Sequence, residues 1–346
     1  MMNIYKLLKL ASCGKIPPFV KLLGLWAMHI TGRRYIGIFF DPVLACNLRC
    51  RMCYFSNESR RKELSGVITS RQLDDVERTF FPRALKLQIG CGAEPSLYTH
   101  LEDILARARR AGVPYTVLVT NGQLLASGHV NLTKLVQEGL NEITLSLHGT
   151  RPETYEYLMT GAKFEYLKTL LAQLHIIKKN NPSFKVRINF TVNSMNVHDL
   201  EGDRFWEPWN DGFRPDVVQL RPVQDMGASD WSDYDSHSLK TNYNETIGNV
   251  VAYCQRHNIT CIAPTLDQID EVTTQQDGVS ALIEDVTYYY ISPKSAYKAD
   301  FNLGADTFNA YHRRHHTARR IFKAAICRHI NARNRNASKK LNYNIN

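Results

Sequence analysis

Three cysteines within eight residues are the part of this sequence best suited to chemistry. Cys46, Cys50 and Cys53 have the spacing C-x3-C-x2-C and follow directly after an apolar run. Thiolates are soft ligands that select zinc or iron–sulfur clusters over hard cations. Structural zinc sites and ordinary four-cysteine clusters each take four protein ligands, and the sequence has no second closely spaced pair of cysteines. The triad therefore favours an iron–sulfur cluster with one open iron, and a zinc site or a coincidence of core cysteines are the alternatives.

The elements that position the triad alternate along the chain. Six apolar runs predict strands, at 35–40, 85–89, 115–119, 142–147, 185–192 and 216–220. Segments with helical periodicity lie between or after them, at 70–80, 101–111, 132–138, 152–179, 198–209 and 242–257. Such alternation predicts βαβ units, a parallel sheet and right-handed crossovers. Periodicity alone leaves both an open sheet and a complete or partial barrel possible.

Composition and charge bound the class of protein. The chain has 346 residues, of which 44% are hydrophobic, and this excludes disorder of the whole chain. Residues 311–340 contain ten Lys and Arg and no acid, which accounts for the whole net charge of +10. No apolar stretch is long enough to span a bilayer, and eight cysteines in a chain of this size do not indicate a disulfide scaffold. We expect a cytoplasmic protein with an N-terminal extension at 1–34, a core at 35–260 and a C-terminal extension at 261–346.

The triad after the first strand of a βα series resembles the signature of the radical S-adenosylmethionine (radical SAM) superfamily. The resemblance covers about residues 35–223 and implies a partial (β/α)6 barrel with a small, mainly helical C-terminal extension. It implies that Cys46, Cys50 and Cys53 hold a [4Fe–4S] cluster whose fourth iron binds S-adenosylmethionine. Reductive cleavage of that ligand then gives methionine and a 5′-deoxyadenosyl radical, which abstracts hydrogen from a substrate.

Later motifs agree with this resemblance. Gly92, Ala93 and Glu94 are similar to the family's Gly-Gly-Glu-Pro motif, which implies that they hold the methionyl end of S-adenosylmethionine. In the fourth strand Ser146 fits a ligand contact. In the fifth, Asn189 lies two residues after Arg187 and therefore on the same face, and we expect Asn189 to contact the cofactor. Arg187 is a candidate catalytic residue.

His148 is the second candidate for a catalytic role, because its position after the fourth strand faces the barrel mouth. A structural role for this histidine is the alternative. Ala93 in place of glycine, Met52 before the third cysteine and Met159 in place of a common arginine depart from the family pattern. These departures concern the detail of the cofactor contacts.

The C-terminal extension points to partners rather than to chemistry. Cys254, Cys261 and Cys327 are too widely spaced for an auxiliary cluster, so we expect buried, inert thiols. The basic segment 311–340 suggests a phosphate-containing ligand, an anionic substrate or peripheral contact with a membrane. The family implies a reduced flavodoxin- or ferredoxin-type electron donor. The alternative function is a non-catalytic zinc module whose basic tail binds nucleic acid.

Overall fold

The computed structural model describes residues 16–209, 212–224, 229, 231–233, 235–269 and 273–327, together with 333–336 and 344–345. Its strands are β1 (Ile36–Phe40), β2 (Ala84–Ile89), β3 (Thr116–Thr120), β4 (Glu142–Ser146), β5 (Lys185–Val192), β6 (Val217–Pro222), β7 (Thr260–Ala263), β8 (Thr273–Gln276), β9 (Tyr288–Ser292), β10 (Ser295–Ala296), β11 (Arg333–Asn336) and β12 (Asn344–Ile345). Its helices are α1 (Pro18–Ile30), α2 (Glu58–Glu63), α3 (Ser70–Phe80), α4 (Leu101–Arg110), α5 (Gln123–Ala126), α6 (Leu132–Gln137), α7 (Pro152–Leu158), α8 (Phe164–Asn180), α9 (His237–Thr241), α10 (Ile247–Arg256), α11 (Gly278–Thr287), α12 (Phe308–Arg314) and α13 (Thr317–Cys327).

The main sheet has the spatial order β10-β9-β1-β2-β3-β4-β5-β6-β7-β12. Neighbours from β1 to β7 pair in parallel, and β9 joins β1 in parallel as well. Strands β8 and β11 form a separate antiparallel pair. The predicted α/β fold with a parallel sheet is confirmed, and the six predicted strands are present within two residues of their expected ends.

The two faces of the sheet differ in chemistry. On β5 the buried residues are Val186, Ile188, Phe190 and Val192, which pack toward the covering helices as part of the hydrophobic core. The alternate residues on β5 belong to the opposite, inner face, because side chains alternate along a strand. That face is polar, and it leads to the carboxyl ends of the strands.

Two of the expected helices are wrong as single helices. The segment 152–179 is interrupted between α7 and α8 at Gly161, whose φ of 95° is left-handed and favours glycine. The segment 198–209 contains two 3₁₀ turns, Val197–Leu200 and Arg204–Trp206. Apolar spacing continued through both segments, so periodicity gave no sign of either interruption.

The terminal regions contribute to the same body. The N-terminal region contributes α1, which packs along α13. The division of the chain at residue 260 stays a prediction, and strands on both sides of that position belong to the main sheet. The C-terminal region contains α11, α12 and α13 as expected of a mainly helical extension, and residues 328–332 and 337–340 of the basic segment lie outside the described residues.

Candidate active site

The loop that carries the three cysteines is held by the interruption between α7 and α8. The backbone N–H of Arg49 donates to the carbonyl of Thr160 and that of Arg51 to the carbonyl of Leu158, each at 2.9 Å. A continuous helix would use these carbonyls for its own hydrogen bonds. The break therefore supplies the acceptors that fix the backbone of the cysteine loop.

The structure brings nearly all of the predicted site residues to one cavity of about 340 Å³. Its lining includes three thiols and five of the predicted cofactor contacts, and also one candidate catalytic residue; these are Cys46, Cys50, Cys53, Gly92, Ala93, Glu94, Ser146, Asn189 and His148. Arg187 is not part of this lining. The cavity lies at the carboxyl ends of the parallel strands, the edge at which α/β barrels build their active sites.

The donor set of this cavity suits a thiolate-bound metal cluster. Burial raises the pKa of Cys46 to about 12, and burial raises the pKa of Cys50 and Cys53 as well. These thiols therefore stay protonated at neutral pH until a metal displaces the protons. Among the residues that the structure describes, no three Cys, His, Asp or Glu side chains converge on one metal ion. A cluster needs no such convergence, since each cysteine binds a different iron.

Glu94 connects the ends of β2 and β3. Its Oε1 accepts a hydrogen bond from the Thr120 hydroxyl at 2.7 Å, and its Oε2 accepts from the backbone N–H of Asn121 at 2.8 Å. Ser96 donates to Oε1 through both its backbone and its hydroxyl. The carboxyl is 2% exposed, and this burial raises its pKa although the hydrogen bonds oppose the shift. Glu94 thus orders the loop as well as lining the cavity.

Asp41 is a site residue that the sequence did not reveal. Its carboxylate accepts hydrogen bonds from the backbone N–H groups of Cys91 at 2.7 Å and Gly92 at 3.0 Å. The hydroxyl of Tyr290, on β9, donates to the same carboxylate at 3.0 Å. Asp41 is 1% exposed, and burial raises its pKa. The sequence feature that could have indicated this role is an acidic residue directly after a buried strand.

Tyr54 closes the other side of the same glycine loop. Its hydroxyl donates to the carbonyl of Gly92. A Cβ on Gly92 would overlap this hydroxyl and would lie 3.6 Å from Asp41 Oδ2. A side chain at position 92 would therefore have to displace the Tyr54 hydroxyl.

His148 is held as a neutral imidazole. Its Nδ1 accepts a hydrogen bond from the backbone N–H of Thr191 at 3.1 Å, so the proton of the neutral ring is on Nε2. Burial lowers its pKa to about 4. At neutral pH this side chain can donate a hydrogen bond through Nε2, but it carries no charge.

Asn189 has a buried acceptor that no described protein group satisfies. Its Oδ1 is inaccessible to solvent and has no hydrogen-bond partner among the described residues, although the side chain lines the cavity. Buried amide oxygens are normally paired, because an unpaired one costs the lost solvation of that atom. The orphaned oxygen fits a cavity that takes a ligand with a hydrogen-bond donor at this point.

Arg187 lies deeper on the inner face, together with charged groups that the sequence did not single out. Its Nη2 donates to Gln219 Oε1 on β6. Lys86 on β2 donates through Nζ to Gln88 Oε1 at 3.1 Å. Burial lowers the pKa of Lys86 to about 8; the carboxylate of Glu142 opposes this shift and Arg187 adds to it. The inner face therefore carries interacting charges below the cavity.

The remaining cysteines agree with the expectation of inert thiols as far as the structure describes them. Cys254 and Cys261 are fully buried and not in a disulfide, and they contact each other through their thiols. The side chain of Cys327 lies outside the described residues.

No described helix is long and apolar enough to cross a membrane.

Known proteins resemble this chain over the part that contains the cavity. Residues 42–198 match the family described as the Radical SAM superfamily. The GTP 3',8-cyclase of Aquifex aeolicus (strain VF5) is 28% identical over 201 residues, which cover 55% of this chain and 56% of that protein. The Fe-coproporphyrin III synthase of Methanosarcina barkeri (strain Fusaro / DSM 804) is 30% identical over 162 residues, covering 45% of this chain and 36% of that protein. The chain thus spans about half or less of the length of these curated relatives.

The fold is similar to a solved structure of the same kind. The crystal structure of Streptococcus suis SuiB bound to S-adenosylmethionine superposes with a TM-score of 0.55 and 15% identity. The match covers 79% of this chain and 62% of that chain, and it supports the fold alone. The family match contains the cysteine triad, Glu94, Ser146 and Asn189, at the positions where the structure forms the cavity. The part of the chain that is similar to the Radical SAM superfamily is thus residues 42–198, a little under half of its length.

Proposed function

We propose that the protein is a radical SAM enzyme in which Cys46, Cys50 and Cys53 hold the cluster and the cavity above them holds S-adenosylmethionine. A [4Fe–4S] cluster and S-adenosylmethionine are the cofactors of this superfamily, and together they supply a 5′-deoxyadenosyl radical for hydrogen abstraction. The observation that carries the proposal is that three thiols from one loop line the same cavity as the Gly92–Glu94 loop. A reduced flavodoxin- or ferredoxin-type protein is the proposed electron donor.

The chain's own residues orient the ligand in this proposal. Asp41 and Glu94 accept hydrogen bonds from the loops on either side and so hold the backbone at residues 91–94 and 120–121 in place. Asn189 offers its unsatisfied Oδ1 to a donor on the ligand, and Ser146 lines the cavity with a hydroxyl. His148 offers its Nε2 proton. We assign no proton transfer to His148, because burial lowers its pKa to about 4 and makes the neutral ring a weak base.

The test of the cofactor assignment is made on protein purified and iron-reconstituted without oxygen. We expect absorption near 400 nm, and 5′-deoxyadenosine on addition of dithionite and S-adenosylmethionine. Cys50→Ala should lose both. Cys91→Ser changes another cysteine that lines the cavity and should keep the iron content of the unaltered protein. A colourless protein with one bound zinc, or 5′-deoxyadenosine formation by Cys50→Ala, would overturn the assignment and favour the zinc-module alternative.

We further propose that the substrate is anionic. Side chains two residues apart on a strand share a face, so the face that lines the cavity through Asn189 and Ser146 continues to Arg187 and Glu142. Lys86 interacts electrostatically with both of these deeper residues. Arg221 on β6 adds a cation at the cavity itself. On this face and in the cavity, the three cations Lys86, Arg187 and Arg221 outnumber the two carboxylates Glu142 and Glu94, so the excess charge is positive.

A substrate with phosphate or carboxylate groups would neutralise that excess. The Aquifex aeolicus relative is named a GTP 3',8-cyclase, and GTP is a polyanion, so this name agrees with an anionic substrate. Glu142 is already engaged, because it accepts a hydrogen bond from the Tyr115 hydroxyl at 2.6 Å. Anion binding next to Lys86 would also raise its pKa and keep it charged.

The test compares phosphorylated and neutral forms of the same compounds. Nucleoside triphosphates and sugar phosphates are added to the reconstituted enzyme, with the parent nucleosides and sugars as controls. We expect that only a phosphorylated compound raises 5′-deoxyadenosine formation above the rate without substrate, and that Lys86→Met and Arg187→Met reduce this stimulation. Stimulation by a neutral compound that both variants retain would refute the anionic class without affecting the cofactor assignment.

A further inference from the structure

Helix α1 is apolar on two sides, and only one of them is buried in the protein. Leu22 and Leu25 belong to the core. A second set of apolar residues is exposed and recurs in steps of three or four, namely Val20, Leu23, Ala27 and Ile30. Such spacing places them in one stripe along the helix. Val20 is 43% exposed and Ile30 is 51% exposed, whereas surface helices of globular proteins usually present polar residues there.

Helix α13 extends this stripe. Phe322 and Ile326 are one turn apart and are 40% and 61% exposed. The ring of Phe322 lies 5.1 Å from the ring of Trp26 on α1, so the exposed sides of the two helices adjoin. We call the combined surface of Val20, Leu23, Ile30, Phe322 and Ile326 the α1/α13 face. Contiguous exposed apolar surface of this kind marks an interaction site.

The charged side chains of α1 and α13 themselves have one sign. Arg314 and Arg320 turn to carboxylates of the protein, at 2.8 Å from Asp306 and 3.3 Å from Asp285. Arg319 and Lys323, by contrast, are exposed and lie one turn apart on α13. Neither α1 nor α13 contains an Asp or Glu.

The chain on either side of these helices has the same bias. Residues 1–15, which precede α1, contain three Lys and no acid, and residues 328–346, which follow α13, contain five Lys and Arg and no acid. The sequence next to both helices is therefore basic as well.

We propose that the α1/α13 face docks the protein on an anionic lipid bilayer. The apolar side chains enter the boundary between headgroups and acyl chains, and Arg319 and Lys323 contact lipid phosphates. A second copy of the chain fits less well, because a two-fold interface would bring these cations against their own copies. A nucleic acid would be bound through its phosphates and leaves the exposed aliphatic side chains without a role.

The experiment uses the full chain and sedimentation with vesicles of phosphatidylcholine alone or of equal parts phosphatidylcholine and phosphatidylglycerol. We expect binding to the anionic vesicles that weakens with salt. Arg319→Gln/Lys323→Gln should weaken it about 25-fold, at roughly fivefold for each cation removed. Leu23→Ser/Ile326→Ser should weaken it also at low salt. The matched control is Ile176→Ser/Lys179→Gln, which makes the same kinds of change at exposed positions of α8 and should leave binding unaltered.

Three outcomes would overturn the proposal. The first is an unaltered protein that does not sediment with anionic vesicles. The second is a control variant that loses binding as strongly as the α1/α13 variants. The third is a dimer, or a complex with single-stranded RNA, that the α1/α13 variants abolish while vesicle binding persists. Thermal unfolding of each variant establishes that it is folded, and the result does not depend on the cofactor assignment.

Discussion

The contact between Gly92 and Tyr54 gives a prediction with a definite sign. Gly92→Ala would place a methyl group on the Tyr54 hydroxyl, while the next atoms, Tyr54 Cζ and Asp41 Oδ2, would be at ordinary distances of 3.5 and 3.6 Å. Overpacking of this kind costs about 1–3 kcal/mol. Tyr54→Phe removes the hydroxyl and its hydrogen bond to the Gly92 carbonyl, at a cost of about 1 kcal/mol. In the double variant the methyl group occupies the space that the hydroxyl leaves.

We therefore expect the two substitutions to be non-additive. Their separate effects sum to about 2–4 kcal/mol, whereas Gly92→Ala/Tyr54→Phe should cost about 1 kcal/mol, because only the hydrogen bond is then lost. The free energy of unfolding is measured by urea denaturation of the four proteins. Binding of S-adenosylmethionine to the reconstituted proteins should follow the same order, since Gly92 lines the cavity.

The control for this cycle is Tyr290→Phe. Its hydroxyl also reaches the glycine loop, but through Asp41 at 3.0 Å rather than through contact with position 92. Gly92→Ala/Tyr290→Phe should therefore be as destabilising as the sum of its parts. The reasoning is refuted if the Tyr54 pair is additive within about 0.5 kcal/mol, or if the Tyr290 pair shows the same relief.

Two further predictions concern buried titratable groups. Glu94→Gln turns an amide NH₂ toward either the Asn121 backbone N–H or the Thr120 hydroxyl. We expect the free energy of unfolding, measured by urea denaturation, to fall by about 1–3 kcal/mol and S-adenosylmethionine to bind more weakly. Unchanged values for both would contradict the role given to this carboxyl. The folded state keeps His148 neutral down to about pH 4, whereas in the unfolded chain this side chain binds a proton below about pH 6.5. Between these two pH values the free energy of unfolding therefore falls as the pH falls, by about 3 kcal/mol in total. His148→Gln should lose this contribution, so that unfolding measured across the same range depends less on pH; identical profiles would contradict the prediction.

The sequence predicted which residues meet at the cavity better than the contacts that hold them there. The cysteine triad and the Gly92–Glu94 loop each follow a strand and Ser146 ends one, and the carboxyl ends of parallel strands meet at one edge of a sheet. Their convergence on one cavity follows from that rule together with the order of the strands. Arg187 was placed on the correct strand face, but its depth below the cavity depends on the register between strands, which periodicity does not contain.

The features that the sequence missed depend on contacts between distant segments. The Tyr290 hydroxyl bonds to Asp41 although the two residues are 249 positions apart. The aromatic run at 288–291 was visible, but nothing in its composition indicates that it pairs with β1. Likewise, the break at Gly161 lies within continuous apolar spacing, and the carbonyl groups beside it bond to the distant cysteine loop.

The way in which that break holds the cysteine loop determines which changes to the gene the site can tolerate. The acceptors at residues 158 and 160 are main-chain carbonyls, and the donors at 49 and 51 are main-chain N–H groups. Substitutions at these four positions leave the bonding atoms in place, provided that the new side chains fit and that position 49 or 51 does not become proline, which has no N–H. An insertion or deletion of one residue in either segment would move the N–H donors out of register with the carbonyl acceptors and release the loop. The site thus depends on the length of these two segments more than on the identity of their side chains.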